Sequence, residues 1–171
     1  MQDIEQETPQ RTVLSNGLEF HHVEAGSGPP LVFLHGVLGD WRTWAPQWSA
    51  FTPQFRCIAY SRRYNWPNQN NQAQPDHSAL VEADDLLQLL DAWGIPSAVL
   101  VGSSYGAFTA LALALSCAAS LGFGAAPVPL PRVLEILGQR LFDLQPAQAV
   151  SSAQDSIVWL IRAPRVVLGA L

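Results

Sequence analysis

The alternation of apolar and polar positions predicts strands first and then strands interleaved with helices. Between Thr12 and Glu24, two strand-like runs flank Asn16-Gly17, a pair suited to a tight hairpin because both residues tolerate positive φ. The period of two puts Leu18, Phe20 and His22 on one face and Glu19, His21 and Val23 on the other. After the turn Gly26-Ser27-Gly28-Pro29-Pro30, Leu31 to Leu34 is an uninterrupted apolar run, as expected of a central strand covered on both sides. Asp40 is placed to cap a helix through Trp41, Trp44 and Trp48, and Arg56 to Tyr60 is another short strand. Ser61 to Pro75, rich in asparagine, is a loop whose arginines and Trp66 are expected to pack and hydrogen-bond locally.

Ser78 caps an amphipathic helix in which Leu80, Ala83, Leu86, Leu87 and Leu90 recur at helical spacing, with Glu82, Asp84, Asp85, Gln88 and Asp91 mostly on the solvent side. Asp84 and Asp85 are not read as paired catalytic carboxylates, because adjacent helical residues diverge by about 100°. Gly94-Ile95-Pro96 ends the helix, and Ala98 to Val101 is a strand that runs into Gly102-Ser103-Ser104-Tyr105-Gly106 and then a helical pattern. A buried strand, a serine flanked by glycines and an immediate helix together make a nucleophile elbow. In that geometry Ser104 is turned outward, and the unpaired N–H of Tyr105 at the helix start faces negative charge.

From Leu31 onward the order is strand, helix, strand, helix, strand, helix. That predicts an α/β fold with a mostly parallel sheet between helical layers, its site at the carboxyl ends of the strands. Both His35-Gly36 and Ser104 fall there, so they are expected to be neighbours. At 171 residues the chain suits one domain, taken as 12–171 after a polar tail over 1–11, and 49% hydrophobic against 13% charged residues argues against disorder. A net charge of -5 without any lysine excludes a basic nucleic-acid surface. The acidic start Met1-Gln2-Asp3-Ile4-Glu5 is unlike a signal peptide, so a cytoplasmic protein is expected. Ala107 to Ala126 is uncharged and long enough to span a bilayer, but its glycines, serines and alanines fit a helix buried against a sheet better. Cys57 and Cys117 form no metal motif and read as small core residues; no cofactor, metal or membrane partner is expected.

The loop His35-Gly36-Val37-Leu38-Gly39-Asp40 with Trp41 and Trp44, the segment Tyr60 to Tyr64, the helix at Ala83 to Leu86 and the elbow Val101 to Ala107 together resemble the alpha/beta-hydrolase superfamily, over roughly 12–116. The resemblance implies Ser104 as nucleophile, the backbone N–H groups of Val37 and Tyr105 as oxyanion hole and His35 as the residue shaping that loop. It also implies a small-molecule acyl substrate. Where many members carry aspartate this chain has Ser61. Members place an acid and then a base histidine after the nucleophile, whereas the histidines here, His21, His22, His35 and His77, all precede Ser104. His35 and His77 are the candidate substitutes for the base, while Asp143, Asp155 and Glu135 are the downstream acids and read as surface or capping groups. The segment after Ser116 lacks charge and clean periodicity; Pro131 is placed to open a helix, and Ile157 to Leu168 is apolar apart from Pro164. Truncation or a frameshift would account for this C-terminal third. Three readings follow: a serine hydrolase by ancestry with an incomplete triad, an inactive fragment or interaction module, and a cofactor-independent haloperoxidase-like member. Without a further strand, the edge of the elbow strand would invite self-association.

Overall fold

Among the described residues, six short strands form one mixed sheet: β1 (Gln10–Val13), β2 (Glu19–Ala25), β3 (Pro30–Leu34), β4 (Arg56–Tyr60), β5 (Ala98–Gly102) and β6 (Val166–Leu168). The computed structural model describes residues 3–70, 75–121, 131, 135 and 166–168. The spatial order is β1-β2-β4-β3-β5-β6. β1 and β2 form the expected antiparallel hairpin about Gly17, whose φ is 82°, and β2 runs antiparallel to β4. β4, β3, β5 and β6 are mutually parallel, with Val32 opposite Ile58 on one side and Leu100 on the other. Central β3 is thereby the apolar run that the pattern marked as covered on both sides.

Pleating sorts the core into two layers. Leu31 and Phe33 of β3, Cys57 and Ala59 of β4 and Val101 of β5 share a cluster with Trp41, Trp44 and Trp48. The tryptophans come from a 3-10 turn, Trp41–Trp44, and α1 (Ala45–Phe51). As expected, Asp40 caps the turn, its carboxylate accepting from the Arg42 N–H at 2.8 Å. The Phe33 ring lies 4.8 Å from Trp44 and 6.1 Å from Trp48. On the opposite face, Trp93 at the end of α2 (Ala79–Ala92) stacks 4.9 Å from His22 and 6.2 Å from Tyr60. Burial in the core pushes the Cys57 thiol up to about 12, leaving it an inert apolar side chain.

α2 corrects the expectation for its polar positions. Ser78 caps it as expected, through the Val81 N–H, but Glu82 and Asp85 are 3% and 2% exposed, whereas Leu80 is 67% exposed. In the first turns of α2, Glu82 and Asp85 face the adjacent arginines Arg62 and Arg63, which the loop after β4 delivers into the interior. Carboxylates one helical turn apart suit two successive guanidinium groups, and the buried apolar stripe shifts toward Leu86, Leu89 and Leu90.

Two compact units divide the chain, Met1–Leu113 with Val166–Leu171, and Ala114–Arg165. In the second, α3 (Tyr105–Leu121) continues to its end, and Pro131, where a helix was expected to open, is helical, as is Glu135. Asp143, Asp155 and the segment from 122 to 130 lie outside the described residues, as does most of Ile157 to Leu168. β6 pairs with β5 over Ala98–Leu100, so the elbow strand is not a bare edge there, contrary to the expectation for a sheet ending at β5. Among the described residues no helix is long and apolar enough to cross a membrane.

Candidate active site

The site is built where β3 and β5 end side by side. Leu34 lies opposite Gly102 in the parallel register, and the Ser103 N–H donates to the Leu34 carbonyl at 3.0 Å, carrying the pairing one residue past β5. The chain then reverses at Ser104, which has a φ of 52° and is the non-glycine residue with positive φ among the described residues. Holding an L residue there costs about 1–3 kcal/mol, a strain the turn imposes in exchange for an exposed side chain. The Ala107 N–H donates to the Ser104 carbonyl at 2.9 Å and the Gly106 N–H to the Ser103 carbonyl at 3.0 Å, starting α3 without an intervening loop.

Both flanking glycines are required by close approach rather than by φ. A Cβ on Gly102 would lie 2.6 Å from the Ala107 Cα and backbone N. One on Gly106 would run into the Leu34 carbonyl and come within 2.7 Å of the His35 carbonyl oxygen. Gly36 sits against the serine itself: a Cβ there would be 3.3 Å from the Ser104 Cβ and 3.7 Å from its Oγ. The expectation that His35-Gly36 and Ser104 are neighbours is thereby met.

His35 is fully buried and both ring nitrogens are occupied. Nε2 accepts the Arg62 N–H at 2.9 Å, so the proton is on Nδ1, which donates to the Gly36 carbonyl at 2.7 Å. Burial pushes the ring to about 4 from its ordinary 6.5, and the nearby Arg62 charge adds to that, while the Gly36 bond and Asp40 oppose it. His35 is therefore neutral, tautomerically fixed and unable to take a proton from Ser104 while these bonds last. The carbonyl it holds belongs to the peptide whose other end is the Val37 N–H. Among the described residues, neither the Val37 N–H nor the Tyr105 N–H donates to a protein acceptor, the condition for receiving an oxyanion.

The other histidines are engaged elsewhere. The His21 ring is hydrogen-bonded to the Asn68 side chain at 3.0 Å, and His22 is buried against Trp93, its ring pushed below the ordinary value by that burial. His77 is exposed, its ring 4.7 Å from Tyr64, while its carbonyl accepts from the Tyr105 hydroxyl. That bond ties the start of α2 to the elbow but places no imidazole nitrogen on Ser104. Among the described residues, no side chain accepts a hydrogen bond from the Ser104 Oγ.

Beside the elbow, on the α1 side of the sheet, lies a pocket of about 360 Å³ lined by Phe33, Trp44, Phe51, Val101, Ser103 and Ser104. Behind the elbow, Arg62 binds Glu82 through two guanidinium nitrogens and lies 4.6 Å from the Tyr105 ring, and Thr109 of α3 donates to the same Glu82 carboxylate at 3.4 Å. Arg63 makes the parallel bidentate pair with Asp85, at 2.7 and 2.6 Å. These pairs were not foreseen. The visible signal was two adjacent arginines facing a helix whose acidic residues sit three apart.

A family model described as alpha/beta hydrolase fold matches residues 29–117. Over 96 residues the chain is 35% identical to an epoxide hydrolase of Caballeronia sordidicola, covering 56% of this chain and 29% of that protein. Over 100 residues it is 33% identical to epoxide hydrolase 2 of Siraitia grosvenorii, covering 58% and 32%. Among solved structures, epoxide hydrolase VrEH1 of Vigna radiata superimposes with a TM-score of 0.62 at 25% identity, over 67% of this chain and 36% of that one. The chain thus spans about a third of the length of these relatives. With its strand-turn-helix elbow, its His-Gly loop against the serine and a family match over more than half its length, the chain belongs to the alpha/beta hydrolase fold family.

Proposed function

We propose that Ser104 is the nucleophile of an acyl-bond hydrolysis, with the Val37 and Tyr105 N–H groups receiving the oxyanion. The observation that carries this is the exposed Ser104 held at positive φ with Gly36 packed against it. In the reaction the Oγ adds to a carbonyl carbon, its proton leaves to solvent hydroxide, the carbonyl oxygen becomes the oxyanion, and collapse expels the leaving group, which takes a proton from water and departs as the alcohol or amine. Water then cleaves the acyl-serine ester. The pocket beside the elbow, walled by Phe33, Trp44, Phe51 and Val101 and edged by the polar Gln47 and Ser103, suits a small uncharged acyl group.

The names of the epoxide hydrolases reported above point to epoxides, but a serine nucleophile weighs against that substrate here. Serine opening an epoxide would form an alkyl ether, which water does not cleave at ordinary pH, whereas an acyl-serine is an ester that water does cleave. A serine at the elbow therefore favours carbonyl substrates over epoxides.

A second reading, the elbow as retained scaffold, is favoured by one observation: both nitrogens of the buried His35 are occupied and no described group accepts from Ser104. Among the described residues no side chain then takes the Ser104 proton, which leaves to solvent hydroxide, and turnover of activated esters stays at background. Incubation with a fluorophosphonate probe across a pH series, alongside Ser104→Ala, distinguishes the readings. Nucleophilic function gives slow labelling that requires Ser104 and rises in proportion to hydroxide. A folded chain that stays unlabelled at alkaline pH overturns the nucleophile assignment. A plateau near neutral pH would reveal a histidine base, and loss of that plateau in His77→Ala would name it.

A further inference from the structure

We infer that the Arg62–Asn65 turn sets the oxyanion loop, and that Asn65 is a positioning residue for the Val37 N–H. This rests on the Ser104 reading above. The turn is closed by its own bond, the Asn65 N–H donating to the Arg62 carbonyl at 2.8 Å. From it, the Asn65 side-chain amide donates to two carbonyls of the facing loop, Val37 at 2.7 Å and Gly39 at 2.9 Å. From the same turn, the Arg62 N–H fixes His35, whose Nδ1–H in turn holds the Gly36 carbonyl. Val37 thus lies between two peptide planes, each locked by a side-chain donor. The plane before it contains the Val37 N–H; the plane after it contains the carbonyl that Asn65 holds. The first plane carries the N–H, and the second, held by Asn65, fixes φ and ψ of Val37 so that the residue does not drag the first plane out of place.

The other half of the hole is reached from the same turn. The Arg62 guanidinium lies against the Tyr105 ring, and through Glu82 it meets Thr109, one helical turn beyond Tyr105. One short segment therefore grips the loop bearing the Val37 N–H and the helix bearing the Tyr105 N–H. No other described side chain donates to both the Val37 and the Gly39 carbonyls. Loss of this grip leaves the loop attached through His35 but free to rotate its second plane. A displacement of about an ångström at a reacting centre costs up to about 100-fold in rate.

Asn65 is the residue to alter, because removing Arg62 would strand the buried Glu82. Fluorophosphonate labelling of Ser104 is measured at alkaline pH for the wild type, Asn65→Ala, Asn65→Asp and Asn70→Ala, separating the maximal labelling rate from probe affinity. Asn65→Asp keeps the shape but turns the amide donors into oxygens facing carbonyls. Asn70 is the structural control, with three bonds to Glu19 and Arg63 and none to the His35–Gly39 loop. We expect both Asn65 variants to lose about 10- to 100-fold in maximal rate with probe affinity unchanged, and Asn70→Ala to label like the wild type. If Asn65→Ala gives no folded product, the isosteric Asn65→Asp decides. Wild-type labelling rates in Asn65→Asp, or an equal loss in Asn70→Ala, overturn the positioning role and leave Ser104 standing. A folded wild-type chain that does not label overturns both.

Discussion

Acid should destabilise this protein through His35 well before its carboxylates protonate. In the folded chain the ring is held neutral, at about 4 instead of 6.5, and once unfolded it regains the ordinary value. Below 6.5 the unfolded chain binds a proton that the folded chain refuses, so the stabilising contribution is complete above 6.5 and drains away as the pH falls toward about 4. At about 1.4 kcal/mol per unit, the interval between 6.5 and about 4 amounts to about 3 kcal/mol, a large share of an ordinary domain's stability. His22, also buried and pushed down, acts with the same sign. Asp85, whose carboxyl is pushed up by burial against the opposing pull of Arg63, acts with the opposite sign at the acid end. Urea unfolding at a series of pH values should show stability falling by about 1.4 kcal/mol per unit for each histidine involved. His35→Gln should remove one proton's worth of that slope, and the His35 ring carbon signal should titrate near 4. A flat profile through this interval, or the wild-type slope in His35→Gln, would refute the argument.

Three further outcomes follow from burial and close packing. Glu82→Ala leaves the Arg62 guanidinium buried and unpaired, so we expect a loss of about 3–5 kcal/mol by chemical denaturation. By contrast, Arg11→Ala, which breaks an ion pair with side chains 56% and 35% exposed, should stay under about 1 kcal/mol. Gly106→Ala drives a methyl group into backbone oxygens of Leu34 and His35, so a loss of about 3 kcal/mol is expected, and a wild-type denaturation midpoint would contradict the close approach.

Most of the sheet was legible because its inner strands are short apolar runs bounded by turn residues, and because strands and helices alternate from Leu31. The elbow was legible for a related reason, since Gly-x-Ser-x-Gly between a strand and a helix has few other uses. α2 misled at its first turns. Helical periodicity assumes that polar residues face water, whereas Glu82 and Asp85 face arginines that arrive from a loop twenty residues earlier in the chain. The bonds of Asn65 were invisible for the same reason. Its partners are carbonyls 28 and 26 positions away, and main-chain oxygens carry no signature in a sequence. His35 could be placed near Ser104, but its unsuitability as a base came from the Arg62 N–H on its far nitrogen, a contact only the folded loop provides.

The positive φ at Ser104 bears on how such a chain changes over generations. Glycine would occupy that backbone position without the steric cost, so Ser104→Gly is a substitution that gains stability by discarding a hydroxyl. A lineage needing only the architecture would have that step open to it at every replication, one base change away for some serine codons. A lineage keeping the serine forgoes a free gain in stability with each generation. Sequences descended from this one would therefore record, at this single codon, whether the hydroxyl was still under selection.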